Sequence, residues 1–193
     1  MLAFWIGPLD ADGAPEPHRP QLWFSADPAF DAEIDRRFGA LCAQALNGGC
    51  DAWRDHAGDW LALLIVLDQF PRNLHRGSAR AFAGDAKAQD LAIEGLSCGF
   101  DASLPVGARG LSYLPFQHAE NLLLQRRSVA LYEDLLARAP VSMRADCQEQ
   151  LRYARAHCEV IERFGRFPHR NDALGRATTV QERAFLDRHG RGF

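Results

Sequence analysis

The chain has 193 residues, 47% of them hydrophobic, and a chain of this length buries roughly 70% of its unfolded surface when it folds as one unit. Its formal net charge of -3 argues against a general binder of nucleic acid or of a membrane surface, because both need a large positive field. We therefore expect a single domain over residues 1–193 with neither kind of partner.

The cysteine content argues against a disulfide framework and against a zinc site. There are five cysteines, an odd number, and no two of them form a C-x-x-C pair. The apolar N-terminus is too short for a signal peptide and has no basic residues before it. The apolar run over residues 61–67 is far shorter than the ~20 residues that span a bilayer. We expect a soluble cytoplasmic protein with reduced thiols, no metal and no cofactor.

The first half of the chain predicts two helices after a proline-rich loop over residues 7–21. Asp27 and Pro28 have the pattern of an N-cap followed by a first-turn proline. The apolar residues that follow recur at spacings of three and four until Asn47, which predicts an amphipathic helix. Residues 58–70 are apolar on nearly every face, which favours a central helix wrapped by others over a strand.

The second half predicts helices joined by short loops. Residues 78–97 have the pattern of one helix that can break at Gly84. Pro115 opens a helix that we expect to continue, with a bend, to Pro140. Ser142 is then the expected N-cap of a helix that extends to Phe164.

The C-terminal segment predicts one more helix. Thr179 and Glu182 have the spacing of a capping box, and the helix that they open ends at Gly190. The chain has no alternating apolar run typical of a strand and no hairpin turn between such runs. The expected fold class is therefore all-α, with antiparallel neighbouring helices and no β-sheet.

One short pattern occurs twice, nearly a hundred residues apart. Residues 68–74 (DQFPRNL) and residues 166–172 (RFPHRND) each place Phe-Pro and Arg-Asn after an apolar helical run, where proline ends a helix and turn residues follow. We call them the first and second Phe-Pro corners. We expect a compact fold to bring the corners together, so that their guanidinium and carboxamide groups surround one polar site.

Three longer strings include the corners or lie between them: LDQFPRN at 67–73, YLPFQHAE at 113–120 and RFGRFPHRN at 163–171. Together with FWIG at 4–7 and Trp23-Phe24, they resemble the signature segments of the bacterial domain-of-unknown-function 924 family. The resemblance covers nearly the whole chain. It implies tetratricopeptide-like antiparallel helical hairpins, packed as one compact right-handed array. It supplies no catalytic residue, because no activity is established for that family.

The candidate site joins polar side chains from these three strings. Arginine matches the geometry of carboxylate and phosphate groups, and Asn and Gln add neutral donors that orient a ligand. We expect a small anionic molecule, or an acidic group of a partner protein, to bind in a cleft between helices. The candidate ligand-binding residues are Asp68, Gln69, Arg72, Asn73, Gln117, His118, Glu120, Arg166, His169, Arg170 and Asn171. The alternative is structural, since such residues also cap helix ends and pair with nearby carboxylates.

His118 is a candidate general acid or base, because histidine titrates near neutral pH. Glu120 is a poor partner for it, since two residues along a helix are rotated by about 200°. If the helix from Pro115 continues, His118 aligns instead with Asn121 and Gln125 in a polar stripe. His157 lies on a largely apolar face, which favours a hydrogen-bonded core histidine.

Three functions remain open from the sequence. The first is binding of an anion through Arg72, Arg166 and Arg170. The second is a protein-interaction module whose helical face binds a peptide or a second copy of the chain, as in a homodimer. The third is a metal-independent enzyme that uses His118 or His169 as acid or base. The chain has no phosphate loop, dinucleotide fingerprint or G-x-S-x-G elbow, which argues against the enzyme classes that depend on them.

Overall fold

The computed structural model describes residues 1–190, and its regular structure is helical apart from one isolated β-bridge between Leu9 and Pro15. The α-helices are α1 (Leu2–Trp5), α2 (Arg19–Phe24), α3 (Pro28–Leu46), α4 (Ala57–Asp68), α5 (Phe70–Leu74), α6 (Asp85–Ser97), α7 (Val106–Ser112), α8 (Leu114–Gln117), α9 (Leu122–Arg138), α10 (Arg144–Phe164) and α11 (Val180–His189). Short 3-10 helices lie at Asp51–Asp55, Ala79–Phe82, Asp101–Ser103, Val141–Met143 and Pro168–Arg170. The all-α prediction is confirmed, whereas the tetratricopeptide-like arrangement stays a prediction.

Helix α4 lies at the centre of the fold. Every residue from Trp60 to Asp68 is buried, and α3, α5, α6, α7 and α8 all pack against the helix. The central helix expected from the continuous apolar run is therefore confirmed. Helix α4 has only 12 residues, and no helix within residues 1–190 combines the length and the apolar character needed to cross a membrane.

Two predicted N-caps are confirmed. The side chain of Asp27 accepts hydrogen bonds from the backbone N–H groups at the start of α3. Thr179 and Glu182 form both hydrogen bonds of a capping box at the start of α11, which ends at Gly190 as expected. These caps could be recognised because each one is made within four residues of sequence.

The helix predicted from Pro115 to Pro140 is in fact two helices. Helix α8 ends at Gln117, and the side chain of Asn121 caps the start of α9. Asparagine favours this position because its side chain competes with the helical backbone for hydrogen bonds. The predicted stripe of His118, Asn121 and Gln125 on one continuous helix is therefore wrong.

The expected cap at Ser142 is also wrong. Ser142 lies inside the 3-10 helix Val141–Met143, and its hydroxyl donates to the carboxylate of Asp12 at 2.6 Å. A partner distant in sequence thus takes the hydroxyl that a helix start would have used. The break at Gly84 is confirmed, since α6 begins at Asp85 after a separate 3-10 helix.

The contact between α4 and α6 depends on a glycine. The indole N–H of Trp60 donates to the carbonyl of Leu91 at 2.8 Å, and a Cβ at Gly95 would overlap the Trp60 ring. We expect Gly95→Ala to lower the free energy of unfolding by about 1–3 kcal/mol through overpacking, as measured by urea denaturation.

Gly58 is the matched control, because a Cβ there meets nothing within 4 Å. Alanine is preferred over glycine in helices by about 0.5–1 kcal/mol, so Gly58→Ala should leave the stability unchanged or raise it. Equal effects of the two substitutions would contradict the close packing of α4 on α6.

Candidate functional site

The two Phe-Pro corners lie side by side and share one carboxylate, that of Asp85. Arg72 of the first corner donates to both of its oxygens, from Nη1 to Oδ1 at 2.8 Å and from Nη2 to Oδ2 at 3.0 Å. Arg170 of the second corner donates from Nη1 to Oδ2 at 3.0 Å. The corners meet as the repeated pattern predicts, through an acid that was not among the predicted site residues.

The first corner brings Asp85 to this place through a proline and a glycine. Pro71 has no N–H, so it cannot donate to the carbonyl of Leu67 four residues earlier. Gly84 packs against that carbonyl, where any Cβ would overlap the oxygen. The start of α6 therefore lies directly beside the end of α4, and its first residue is Asp85.

Arg170 lies close to two aromatic rings. Its guanidinium carbon lies 4.6 Å from the centre of the Phe82 ring and 4.7 Å from that of Phe167, and Nη2 donates to the carbonyl of His118 at 2.9 Å. Burial, together with the charge of Arg72, lowers the pKa of Arg170 to about 10, so the side chain stays charged at neutral pH. Its Nε is buried without a hydrogen-bond partner in the described part of the chain.

His118 is paired with Asp68, the last residue of α4. Its Nδ1 lies 2.8 Å from Oδ1 and 2.9 Å from Oδ2 of this carboxylate, whose side chain is only 2% exposed. Burial alone would raise the pKa of Asp68, but the charge of Arg72 and the hydrogen bonds from His118 and Gln69 outweigh it. The pKa of Asp68 therefore lies well below its usual range, and the buried carboxylate is charged.

One ring nitrogen of His118 is hydrogen-bonded, and the other has no hydrogen-bond partner within residues 1–190. Burial, with the charge of Arg72, lowers the pKa of His118 despite the opposing effect of Asp68, so the ring is neutral at neutral pH. The proton then lies on Nδ1, facing the carboxylate, and Nε2 carries the lone pair. Within residues 1–190, Nε2 has no hydrogen-bond partner, and the side chain is 14% exposed.

His157 lies next to His118, and Phe167 and His169 continue from it as a row of rings. The ring centre of His157 is 6.4 Å from that of His118 and 5.5 Å from that of Phe167, which in turn is 5.5 Å from His169. His157 is hydrogen-bonded as predicted, with Nδ1 2.8 Å from the carbonyl oxygen of Tyr153. Burial lowers the pKa of His157 to about 3 and that of His169 to about 4. All three imidazoles are therefore neutral at neutral pH.

Arg166 does not join Arg72 and Arg170, contrary to the expected three-arginine site. It faces α11 and donates to both carboxylate oxygens of Glu182, at 2.7 and 3.0 Å. Because Glu182 also completes the capping box of α11, the role of Arg166 is to attach this helix to the second corner.

Glu120 and Asn171 belong to the same neighbouring network. Glu120 accepts two hydrogen bonds from Arg176, at 2.6 and 2.9 Å, and one from the backbone N–H of Phe167 at 2.8 Å. Arg176 also donates to Asn171 at 3.0 Å. Glu120 is thus not a partner of His118, in agreement with the sequence argument, and it supports the second corner instead.

The remaining candidate residues are spread around the first corner. Asn73 donates to Asp31 of α3 at 2.7 Å, Gln69 donates to Asp68, and the buried Gln117 ends α8. The sequence did not identify Asp85, Phe82 or Arg176 as part of the site, and it identified Glu182 only as a member of the capping box of α11. The one available signal for Asp85 was its place after a helix-breaking glycine, where an acidic first residue suits the helix dipole.

The site carries no excess positive charge. The negative charges of three carboxylates equal the positive charges of three guanidinium groups. The carboxylates are Asp68, Asp85 and Glu120, and the guanidinium groups are Arg72, Arg170 and Arg176. Each arginine already has an acidic partner within the chain. No group of three or more His, Cys, Asp or Glu side chains in residues 1–190 is arranged to hold a metal ion.

Two shallow grooves lie outside this cluster. One, of about 410 Å³, follows α11 from Thr178 to Asp187, and the other, of about 350 Å³, lies beside Leu136 and Gln148. Neither is lined by an oriented acid or base, so the Asp68–His118 pair remains the candidate reactive centre.

The chain belongs to a family of bacterial proteins of unknown function, DUF924, whose family model matches residues 1–190. Among solved structures it is similar to the protein of unknown function ATU0120 from Agrobacterium tumefaciens. The two are 38% identical, the match covers 88% of this chain and 90% of that one, and the TM-score is 0.79. No curated protein matches. The family resemblance seen in the sequence is confirmed, and function has to be argued from the site.

The partly buried histidines predict how stability depends on pH. The pKa of His169 is about 4 in the folded chain and 6.5 when unperturbed, so below pH 6.5 the unfolded chain binds a proton that the folded chain does not. Its contribution to stability is complete above pH 6.5 and is lost as the pH falls towards 4. We expect His169→Gln to reduce the slope of unfolding free energy against pH in this window by about 1.4 kcal/mol per unit. Urea denaturation at successive pH values measures it, and an unchanged slope would contradict the burial of this imidazole.

Proposed function

We propose that this protein is a metal-independent enzyme that moves a proton to or from a small anionic substrate, with His118 as the catalytic base. One observation carries the proposal: a buried, charged Asp68 fixes Nδ1 of His118, while Nε2 has no hydrogen-bond partner within residues 1–190. A carboxylate behind an imidazole selects the tautomer whose outer nitrogen accepts a proton, and it stabilises the imidazolium that then forms.

The proposed chemistry needs only the side chains of the chain itself. A proton leaves an O–H, N–H or C–H group of the substrate or of a bound water and binds to Nε2 of His118. Asp68 is a positioning residue, since it acts through the imidazole. A well-placed general base accelerates a reaction by a factor on the order of 10²–10⁴.

The anionic character of the substrate is supported by Arg72 and Arg170. Both lower the pKa of His118 through their charges, which means that they lie close enough to act on a bound anion as well. Arg166 is not part of this proposal, because it is bound to Glu182.

The interaction module stays a prediction. The large apolar side chains exposed within residues 1–190 are Phe24, Leu123, Val141, Tyr153 and Val180. They come from five separate elements, whereas the catalytic proposal rests on one defined pair. We also propose a cytoplasmic location. It is supported by the five cysteines, which are all free, as is usual for proteins of a reducing compartment.

Comparison of wild type with His118→Asn and Asp68→Asn tests the proposed enzyme. Each protein is incubated with a bacterial metabolite extract, and untargeted mass spectrometry follows which compounds are consumed. We expect wild-type turnover to fall by a factor on the order of 10²–10⁴ in both variants. The pKa of His118 is below 6.5. The turnover rate should therefore be at its maximum at neutral pH and should fall only below pH 6.5.

The control variant is His56→Asn, which alters an exposed histidine. It should convert the same compounds as the wild type. A conversion that survives in His118→Asn, or a complete absence of conversion by the wild type, would count against His118 as a catalytic base.

A further inference from the structure

We propose that Asp85 occupies the binding place of a substrate carboxylate, and that the substrate is a small monocarboxylate which binds to Arg72 and Arg170 when the Asp85 side chain turns away. For the identity of the reacting group this inference rests on the proposed function. The binding itself does not require His118 to react.

The contacts of Asp85 show that the place between the two arginines accepts a carboxylate. Three hydrogen bonds of 2.8, 3.0 and 3.0 Å converge on its two oxygens from guanidinium groups of separate corners. Two oxygens held by planar forks are the geometry that arginine provides for carboxylates. Arg170 also contacts the rings of Phe82 and Phe167 and the carbonyl of His118, contacts that do not depend on Asp85, so the guanidinium keeps its position when the occupant changes.

The charge of the site favours a single negative charge on the ligand. Without Asp85, the charges of Arg72, Arg170 and Asp68 leave one positive charge, since His118 is neutral. A monocarboxylate restores the neutrality that Asp85 now provides. A doubly charged phosphate would leave one negative charge without a partner, and an unpaired charge is costly in a partly buried site.

The place of Asp85 is close to solvent. The side chain of Asp85 is 14% exposed and that of Arg72 is 19% exposed. Asp85 is the first residue of α6, so rotation of its side chain leaves the helical hydrogen bonds intact, and the helix dipole still favours the carboxylate after it has turned. The Nε of Arg170, buried with no partner within residues 1–190, is a donor that the internal carboxylate leaves unused.

The carboxylate place is linked to the Asp68–His118 pair through both arginines. Arg170 donates to the carbonyl of His118 at 2.9 Å, and Nη1 of Arg72 lies 3.3 Å from Oδ1 of Asp68. Both arginines thus contact the Asp68–His118 pair directly. We infer that the remainder of a small acid anchored by these arginines extends towards His118.

Binding of sodium acetate tests this inference, with the melting temperature as the readout, because a ligand that binds only the folded state raises it. Acetate is titrated at constant ionic strength, with chloride, acetamide and inorganic phosphate as comparisons. We expect a saturable rise for the wild type, and a half-saturating acetate concentration at least 10-fold lower for Asp85→Ala. Acetamide and chloride should give no rise, and phosphate a smaller one than acetate.

Two variants test whether the acetate response arises at the two arginines, and a third replaces Asp85→Ala if that variant does not fold. Asp51→Ala removes the carboxylate that pairs with Lys87 at 2.6 Å and should respond to acetate as the wild type does. Arg170→Met in the Asp85→Ala background should abolish the response. If Asp85→Ala does not fold, Asp85→Asn replaces it, with the same expected direction.

The outcome is separable from that of the catalytic proposal. His118→Asn should retain the acetate response in full, even if no reaction is found for the wild type. No saturable response of the wild type to acetate, or equal responses of wild type and the Asp85 variant, would overturn the inference and leave Asp85 as a purely structural link.

Discussion

One buried charge, that of Asp68, determines how this site is built. Asp68 ends helix α4, which is buried from Trp60 onwards, and a carboxylate in such surroundings is stable only if charges and donors compensate for its lost hydration. Arg72, His118 and Gln69 supply them. Arg72 in turn donates to both oxygens of Asp85, and Arg170 donates to one of the same two oxygens. The charge at the end of α4 thus links both Phe-Pro corners in one network.

The second corner has a separate support. Glu120 binds Arg176, and Glu182 binds Arg166. These two ion pairs fix the loop after α10 and the start of α11. This network explains why so many arginines follow the corner without forming an anion site. Of Arg166, Arg170 and Arg176, it is Arg170 that donates to Asp85 and to the carbonyl of His118, whereas Arg166 and Arg176 bind carboxylates and backbone carbonyls of the second corner and α11. The division separates a structural half of the cluster from the half where a ligand and a proton are proposed to meet.

The sequence predicted those features whose causes are local. The caps at Asp27 and Thr179 and the central helix follow from spacings within a few residues. The meeting of the two corners could be expected from their repeated pattern. The partner of His118 could not, because Asp68 is 50 residues away in sequence and was assigned to ligand binding. Asp85 was missed for the same reason, since its importance comes from Arg72 and Arg170 on separate segments. The single helix predicted from Pro115 to Pro140 was wrong because Asn121, interpreted as part of a helix face, is the N-cap of α9.

The protonation state of His118 tests the central claim most directly. In ¹⁵N-labelled protein, long-range proton–nitrogen spectra at pH 7 distinguish a protonated ring nitrogen from one with a free lone pair. With Asp68 charged behind it, His118 should carry its proton on Nδ1 and leave Nε2 unprotonated, and Asp68→Asn should disturb this state. A proton on Nε2 in the wild-type protein, or a spectrum that Asp68→Asn leaves unchanged, would contradict the account.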